Sequence, residues 1–273
     1  MADQTFTSLE RDGWSRNAAV YDDIILGHTS QAFEPLLDSF GDLRGRRLLD
    51  VACGTGHLTQ AAAGRGATAE GVDIAPAMVA QARHLFPALA FRTGNAEALP
   101  YDDATFDAVT CCFGLLHLER PEQAIAEVYR VLRPGGRFGY AVWQGPEAGG
   151  TMFAIVLRTF ERHGTLDVGL PPSPPMFQFA EPATRDRLLG RAGFTAIAGH
   201  DLVIRWRAPK PEDIVRLLTQ GMVRPRLLFE RQAPEGQARI LAALVEEARA
   251  FARAGGVEIP NAAHLATALK PKP

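Results

Sequence analysis

A chain of 273 residues with 47% hydrophobic side chains has material for a full core, as one elaborated domain or a domain with a small appendage. Lys plus Arg number 29 against 31 Asp plus Glu, a net charge of −2, which argues against a dedicated nucleic-acid binder with its basic excess. Cys53, Cys111 and Cys112 form neither a CxxC pair nor an even disulfide framework, a usage that suits a reducing cytoplasm. The N-terminal MADQTFTSLERDGW lacks an apolar signal core, and no run nears the ~20 apolar residues of a membrane span.

Residues 1–45 read as a helical lead-in. Ala32, Phe33, Leu36, Leu37 and Phe40 share one helical face, with Ser30 as the expected N-cap and Pro35 as an interruption. From Arg46 short apolar runs alternate with amphipathic segments, the pattern of βα units on a parallel sheet. RRLLDVA, ATAEGVD, LAFRTG, FDAVTCCF and RFGYAVW are the expected strands. HLTQAAAGRG, the stretch opened by Pro76 and the stretch opened by Pro121 are the expected helices between them. After Trp143 come a helix over Met152–Arg162, a stiff Pro171–Pro175 stretch, a helix over Arg185–Ala192 and a strand over Ile197–Trp206. Two more helices follow, the last over Pro234–Ala254 and ended by Gly255-Gly256, then a final strand over His264–Leu269. The expected organisation is a lead-in over 1–45, a nucleotide-binding core over 46–145, and the rest of the sheet over 146–273 with helical insertions at about 146–180 and 209–254.

The informative text is Asp50-Val51-Ala52-Cys53-Gly54-Thr55-Gly56-His57, a buried strand running into a glycine turn and then a helix. Glycines there permit positive φ and remove the Cβ that would keep a ligand off the backbone. Asp73 ends the next strand, 19 residues after Gly54, where a carboxylate can accept both hydroxyls of a ribose. A dinucleotide fingerprint needs a third glycine, but Thr59 stands there, and no P-loop lysine follows.

This loop resembles the first motif of the class I S-adenosylmethionine (SAM)-dependent methyltransferases, an acidic residue followed by small residues at alternate positions: Asp50, then Ala52, Gly54 and Gly56. Ala52 departs from the commoner glycine, a change compatible with negative φ. Further segments resemble the same family in order: Asp73-Ile74-Ala75-Pro76-Ala77-Met78, Gly94-Asn95-Ala96-Glu97-Ala98-Leu99-Pro100, Phe106–Leu118, and Glu127–Gly136. The resemblance covers about 44–143 and is nearest the ubiquinone/menaquinone-biosynthesis-like (type 11) branch, whose N-terminal helix is matched by Trp14, Ala18, Tyr21 and Asp22.

The resemblance implies a Rossmann-like, doubly wound, mostly parallel seven-stranded sheet with helical lid insertions. It implies SAM as cofactor, S-adenosylhomocysteine as product and a small-molecule methyl acceptor. It assigns the ribose to Asp73, and the adenine to Ile74, Met78, Asn95, Ala96 and Glu97. The methionine part goes to the Asp50–Gly56 loop with Thr55, to Tyr21, and to the backbone near Cys112 and Phe113. Asn95 replaces the usual Asp.

Transfer of methyl from a cationic sulfur is an in-line displacement with a good neutral leaving group, so orientation is expected to dominate. A base is needed only where the acceptor holds its proton tightly. His117, after the fourth strand, is the candidate for cofactor contact and catalysis, with Tyr21 and His28 behind it. His57, His163, His200 and His264 read as structural or surface groups, and Cys112 as core. Phe153, Met176, Phe177, Phe179, Trp206, Met222 and Phe229 are candidates for an apolar acceptor pocket. Two other readings stay open: a SAM-binding protein with a non-methylating role such as a cyclase, and an NAD-dependent oxidoreductase. A base-amine methyltransferase is disfavoured, because Cys-Cys-Phe-Gly stands where such enzymes carry (Asn/Asp/Ser)-Pro-Pro-aromatic.

Overall fold

The structure, a computed structural model, describes residues 5–273. Seven main strands form one sheet: β1 (Arg47–Val51), β2 (Thr68–Asp73), β3 (Ala90–Thr93), β4 (Phe106–Cys112), β5 (Leu132–Trp143), β6 (Thr195–Ala208) and β8 (Gly256–Leu269). A two-residue strand, β7 (Ala252–Arg253), folds back on the start of β8. The order is β3-β2-β1-β4-β5-β8-β6, with β8 antiparallel to both neighbours and the other main pairings parallel. Successive crossovers leave β1 in opposite directions, so a crevice opens at the carboxyl ends of β1 and β4, where open α/β sheets place their ligands.

Both faces of the sheet are covered, and its central strands are nearly continuous apolar runs for that reason. Leu36, Leu37, Leu48, Leu58, Ala62 and Ala108 form one side of the core; Val109, Ile125, Val128, Phe138, Leu188 and Leu189 form the other. Helices His57–Gly64, Pro76–Leu85 and Pro121–Val131 fall where the sequence puts them, two of them opened by proline in the first turn.

The sheet does not stop at its edge. Trp143 at the end of β5 pairs with Ala263, while β8 continues back to Gly256 paired with β6. This two-stranded ribbon rises past the carboxyl ends and carries a second core. Trp206 and Ile259 of the ribbon pack there with Met152, Phe160, Leu217, Phe229 and Ile240, drawn from helices Thr151–His163, Asp213–Arg216 with its wider continuation Leu217–Gly221, Arg224–Glu230 and Pro234–Arg249. The cap therefore sits above the crevice.

Four sequence expectations change. The chain is already helical before Ser30, with a π-type turn over Asp22–Leu26, so Ser30 caps nothing and the helix Phe33–Asp38 begins after a 3-10 turn. Pro35 falls in its first turn, where no N–H is needed. The last helix ends at Arg249, because the following residues are taken by the β7–β8 hairpin. The final strand begins at Gly256, eight residues before the expected start at His264; its polar Glu258 and Asn261 broke the apolar pattern. The first four residues of the lead-in lie outside the described residues. No helix is long and apolar enough to cross a membrane among the described residues.

One buried acid staples the sheet to its first helix. Asp50, 1% exposed, accepts from Thr59 Oγ1 at 2.8 Å and Thr110 Oγ1 at 3.0 Å, joining β1, the helix His57–Gly64 and β4. Burial pushes its carboxyl from 3.8 up to about 7, against the two hydroxyl bonds that favour the charge. The folded state thus holds this proton where the unfolded chain has lost it. The stabilisation is complete below the unfolded value of 3.8 and is lost as pH rises through about 7. Asp50→Asn, neutral at every pH, should flatten the fall in melting temperature between about pH 4 and pH 7; an unchanged slope in thermal unfolding would remove Asp50 as its source.

Candidate active site

The turn from β1 into the helix His57–Gly64 takes positive φ at three alternate residues: Ala52 (56°), Gly54 (53°) and Gly56 (86°). Ala52 thus stands where positive φ is needed, the one condition under which alanine in place of glycine is not free. The alanine holds a conformation that favours glycine, costing on the order of 1 kcal/mol. The two glycines serve different ends. A Cβ on Gly54 would meet nothing within 4 Å, so this backbone faces open space; a Cβ on Gly56 would strike Phe91 at 2.7 Å, so this one lets the helix pack. Across the crevice, a Cβ at Gly114 would lie 2.6 Å from the Ala52 methyl, so the turns after β1 and β4 nearly touch.

Asp73 holds this turn in place. It accepts from the Gly54 N–H at 2.9 Å and the Ala75 N–H at 2.8 Å and is 8% exposed. Burial raises its pKa, while those two N–H groups and nearby His117 pull the other way.

Above the turn lies a cavity of about 310 Å³. Ala52, Gly54, Asp73, Ile74, Met78, Cys112, Phe113, His117 and Tyr21 line it. A small alcove of about 30 Å³ opens beside it between Ile74, Gly94, Asn95, Ala96, Glu97 and Leu118. Asp50, Thr55 and Gly56 line neither space. Asp50 is the staple under the turn, and Thr55 donates its hydroxyl to Asp22 at 2.8 Å. Glu97 spends both carboxylate oxygens on Arg120, one on its backbone N–H and one on its guanidinium. The Asn95 side-chain oxygen accepts from the Glu97 N–H at 2.9 Å.

The lead-in closes the cavity from one side. Asp22 grips Thr55 and His57; the Tyr21 and Thr29 hydroxyls lie 3.3 Å apart, and both residues line the cavity. The helix Phe6–Asn17, capped by Thr5, locks onto the cap helices, with Gly13 against Val223 and Asn17 donating to the Gly221 carbonyl while accepting from Arg226.

Glu10, unrecognised in the sequence, is buried between them. Its carboxylate lies 2.9 Å from His117 Nδ1 and accepts from Trp14 Nε1 at 3.1 Å. The Trp14 ring meets the His117 ring edge-on at 4.9 Å. A signal existed: Phe6, Glu10, Gly13 and Asn17 repeat at helical spacing, and this mixed face is the buried one. An acid on it would have been read as solvent-facing.

Of the apolar candidates, Phe153, Met176 and Met222 line the cavity. Phe177 backs Phe153 at 5.3 Å; Phe179, Trp206 and Phe229 lie in the two cores. His28 lines the cavity, whereas His57, His163, His200 and His264 do not. Phe113, at φ 58°, stacks on Trp143 at 4.0 Å and shapes the wall beyond His117.

Residues 49–139 match a methyltransferase-domain family. The demethylmenaquinone methyltransferase of Beutenbergia cavernae is 33% identical over 179 residues, 61% of this chain and 72% of that protein. The enzyme of the same name from Renibacterium salmoninarum is 34% identical over 143 residues, a match that spans 48% of this chain and 60% of that protein. A solved structure of Haemonchus contortus phosphoethanolamine N-methyltransferase 2, in complex with phosphomonomethylethanolamine and S-adenosylhomocysteine, superposes with a TM-score of 0.62. It is 16% identical and covers 99% of this chain and 61% of that one, a likeness of fold.

The strained turn yields a direct expectation. Ala52→Gly should raise stability by roughly 0.5–1 kcal/mol, left-handed strain relieved less the extra freedom of the unfolded glycine. Denaturant unfolding measures it, and a loss of stability would show that the methyl is held by packing that outweighs the strain.

Proposed function

The chain belongs to the class I SAM-dependent methyltransferases, in the ubiquinone/menaquinone-biosynthesis-like branch, and from that premise we propose that it methylates an aromatic, quinol-type small molecule held in the 310 Å³ cavity. The observation that carries this reading is the continuity of the cavity. It runs from the Asp73–Gly54 crossing, past His117, into a chamber walled by Phe113, Trp143, Met152, Phe153 and Phe160. Donor site and apolar chamber share one continuous cavity.

The residues present fit SAM. Asp73 is anchored by two backbone N–H groups and keeps free lone pairs for two ribose hydroxyls. Gly54 offers open backbone where a side chain would intrude. The alcove beside Ile74 has the backbone of Asn95–Glu97 along its edge and suits a flat adenine. The methionine end falls to Gly54, Tyr21 and the backbone at Cys112–Phe113. In this reading Asp50, Thr55, Gly56 and Glu97 act indirectly, by holding the walls. When bound, SAM supplies a methyl group on a positively charged sulfur.

His117 is the group placed to take a proton. With Glu10 against Nδ1, the proton of the neutral ring stays on that nitrogen and the Nε2 lone pair is available. An acceptor ring that gains a methyl on carbon must release the hydrogen from that carbon, and His117 Nε2 receives it. The lead-in helix and the cap exclude water, and the aromatic walls orient the ring. The demethylmenaquinone relatives favour a quinol-type ring, and the largely carbon-lined chamber agrees with it.

Two measurements test the reading. Asp73→Ala should weaken S-adenosylhomocysteine binding at least tenfold by calorimetry, since charge-assisted bonds are worth about 1.5–3 kcal/mol each; unchanged affinity would remove Asp73 from the donor site. With SAM and 1,4-naphthohydroquinone kept reduced, His117→Gln should lower kcat on the order of 10²–10⁴-fold while S-adenosylhomocysteine affinity holds. Turnover unaffected by the substitution would exclude His117 as the base.

A further inference from the structure

Two nitrogens in the acceptor chamber are buried without a partner, and they belong to residues far apart in sequence. Asn261 on β8 is 0% exposed. Its side-chain oxygen accepts from the Met152 N–H at 3.1 Å, which fixes the amide, yet its Nδ2 meets no acceptor. His28 in the lead-in is 6% exposed, its ring lies 4.6 Å from Trp143, and its Nε2 likewise has no partner. Both residues line the cavity. Most buried polar groups are satisfied, so two unpaired nitrogens on residues that line one cavity call for a physical account.

The fold brings them to the same end of the chamber. Gln31, three residues beyond His28, bonds the backbone of Arg205 twice, accepting from its N–H at 3.0 Å and donating to its carbonyl at 2.8 Å. Arg205 is paired with Pro260 and its neighbour Ile204 with Asn261. Trp143, against which His28 rests, is paired with Ala263, on the same face of β8 as Asn261. His264 points to the other face, bonded to Asp201 and Arg185. The surrounding wall is carbon: Ile25, Met152, Phe153, Val156 and Phe160.

We propose that His28 and Asn261 form an oxygen clamp, a specificity element that selects an acceptor ring bearing a hydroxyl or carbonyl at the end seated against β8. The amide can only donate from Nδ2, so its partner must accept. The imidazole is neutral, burial having lowered its pKa to about 4, so it can accept from a hydroxyl or donate to a carbonyl. A ring oxygen supplies the acceptor that Nδ2 lacks, and a hydroxyl or carbonyl supplies a partner to the imidazole; a methyl group in its place supplies neither. This clamp rests on the reading of the cavity as the acceptor chamber. It distinguishes oxygenated rings from hydrocarbon rings of equal shape.

The test uses the full chain saturated with S-adenosylhomocysteine and two probes of nearly equal shape, 2-naphthol and 2-methylnaphthalene, read by tryptophan fluorescence. The wild-type protein should bind 2-naphthol at least tenfold more tightly. His28→Phe, which keeps the aromatic contact with Trp143, and Asn261→Leu should each cut that ratio to about threefold or less, with S-adenosylhomocysteine affinity within about twofold of wild type. If Asn261→Leu fails to fold because Met152 loses its acceptor, His28→Phe alone decides the matter. Equal affinity of the two probes for the wild-type protein, or an undiminished ratio in His28→Phe, overturns the clamp and leaves the aromatic acceptor standing. Binding of neither probe overturns the aromatic acceptor and the clamp with it.

Discussion

The carboxylate of Asp73 bridges two backbone N–H groups, those of Gly54 and Ala75, and the geometry of the crevice hangs on that bridge. The turn after β1 and the turn after β2 would otherwise be separate loops at neighbouring strand ends. Tied to one acid, they present bare backbone, a carboxylate and the start of two helices to one volume. The positive φ at Ala52 is the strain that this arrangement retains. It persists because Asp50 below and Asp73 above over-determine the path of the chain.

Desolvation runs through the site as a common cost. Asp50, Asp73, Tyr21 and His28 all have pKa values moved toward their neutral forms, with burial as the first cause. The acids differ in what offsets it. Asp50 has two hydroxyls and serves as a staple, while Asp73 has two amides and faces the cavity. The same chemical group thus does structural work in one position and ligand work in the other, according to whether open space lies beside it.

The chamber exists because β6 and β8 outrun the sheet. Their extra length carries the cap helices, and the lead-in helix closes against them through Gly13, Asn17 and Arg226. Residues that meet in the chamber therefore come from the lead-in, from β5 and the helix after it, and from β8 and the cap. Such a site tolerates change of acceptor without change of donor, because the walls of the two ends belong to different segments.

The amino-acid sequence alone determined the parallel strands, the glycine turn and the acid at the end of β2, and the family these resemble implied the methyl donor. These are local features, written as apolar runs, proline and glycine positions and a short spacing, and each can be read without knowing what packs against it. Tertiary structure alone decided the partnership of Glu10 with His117, the split between chamber and core among the aromatic candidates, and the burial of unpaired nitrogens on His28 and Asn261. Those depend on contacts between residues about one hundred to more than two hundred positions apart, and periodicity within a single element carries no information about which distant face it will meet.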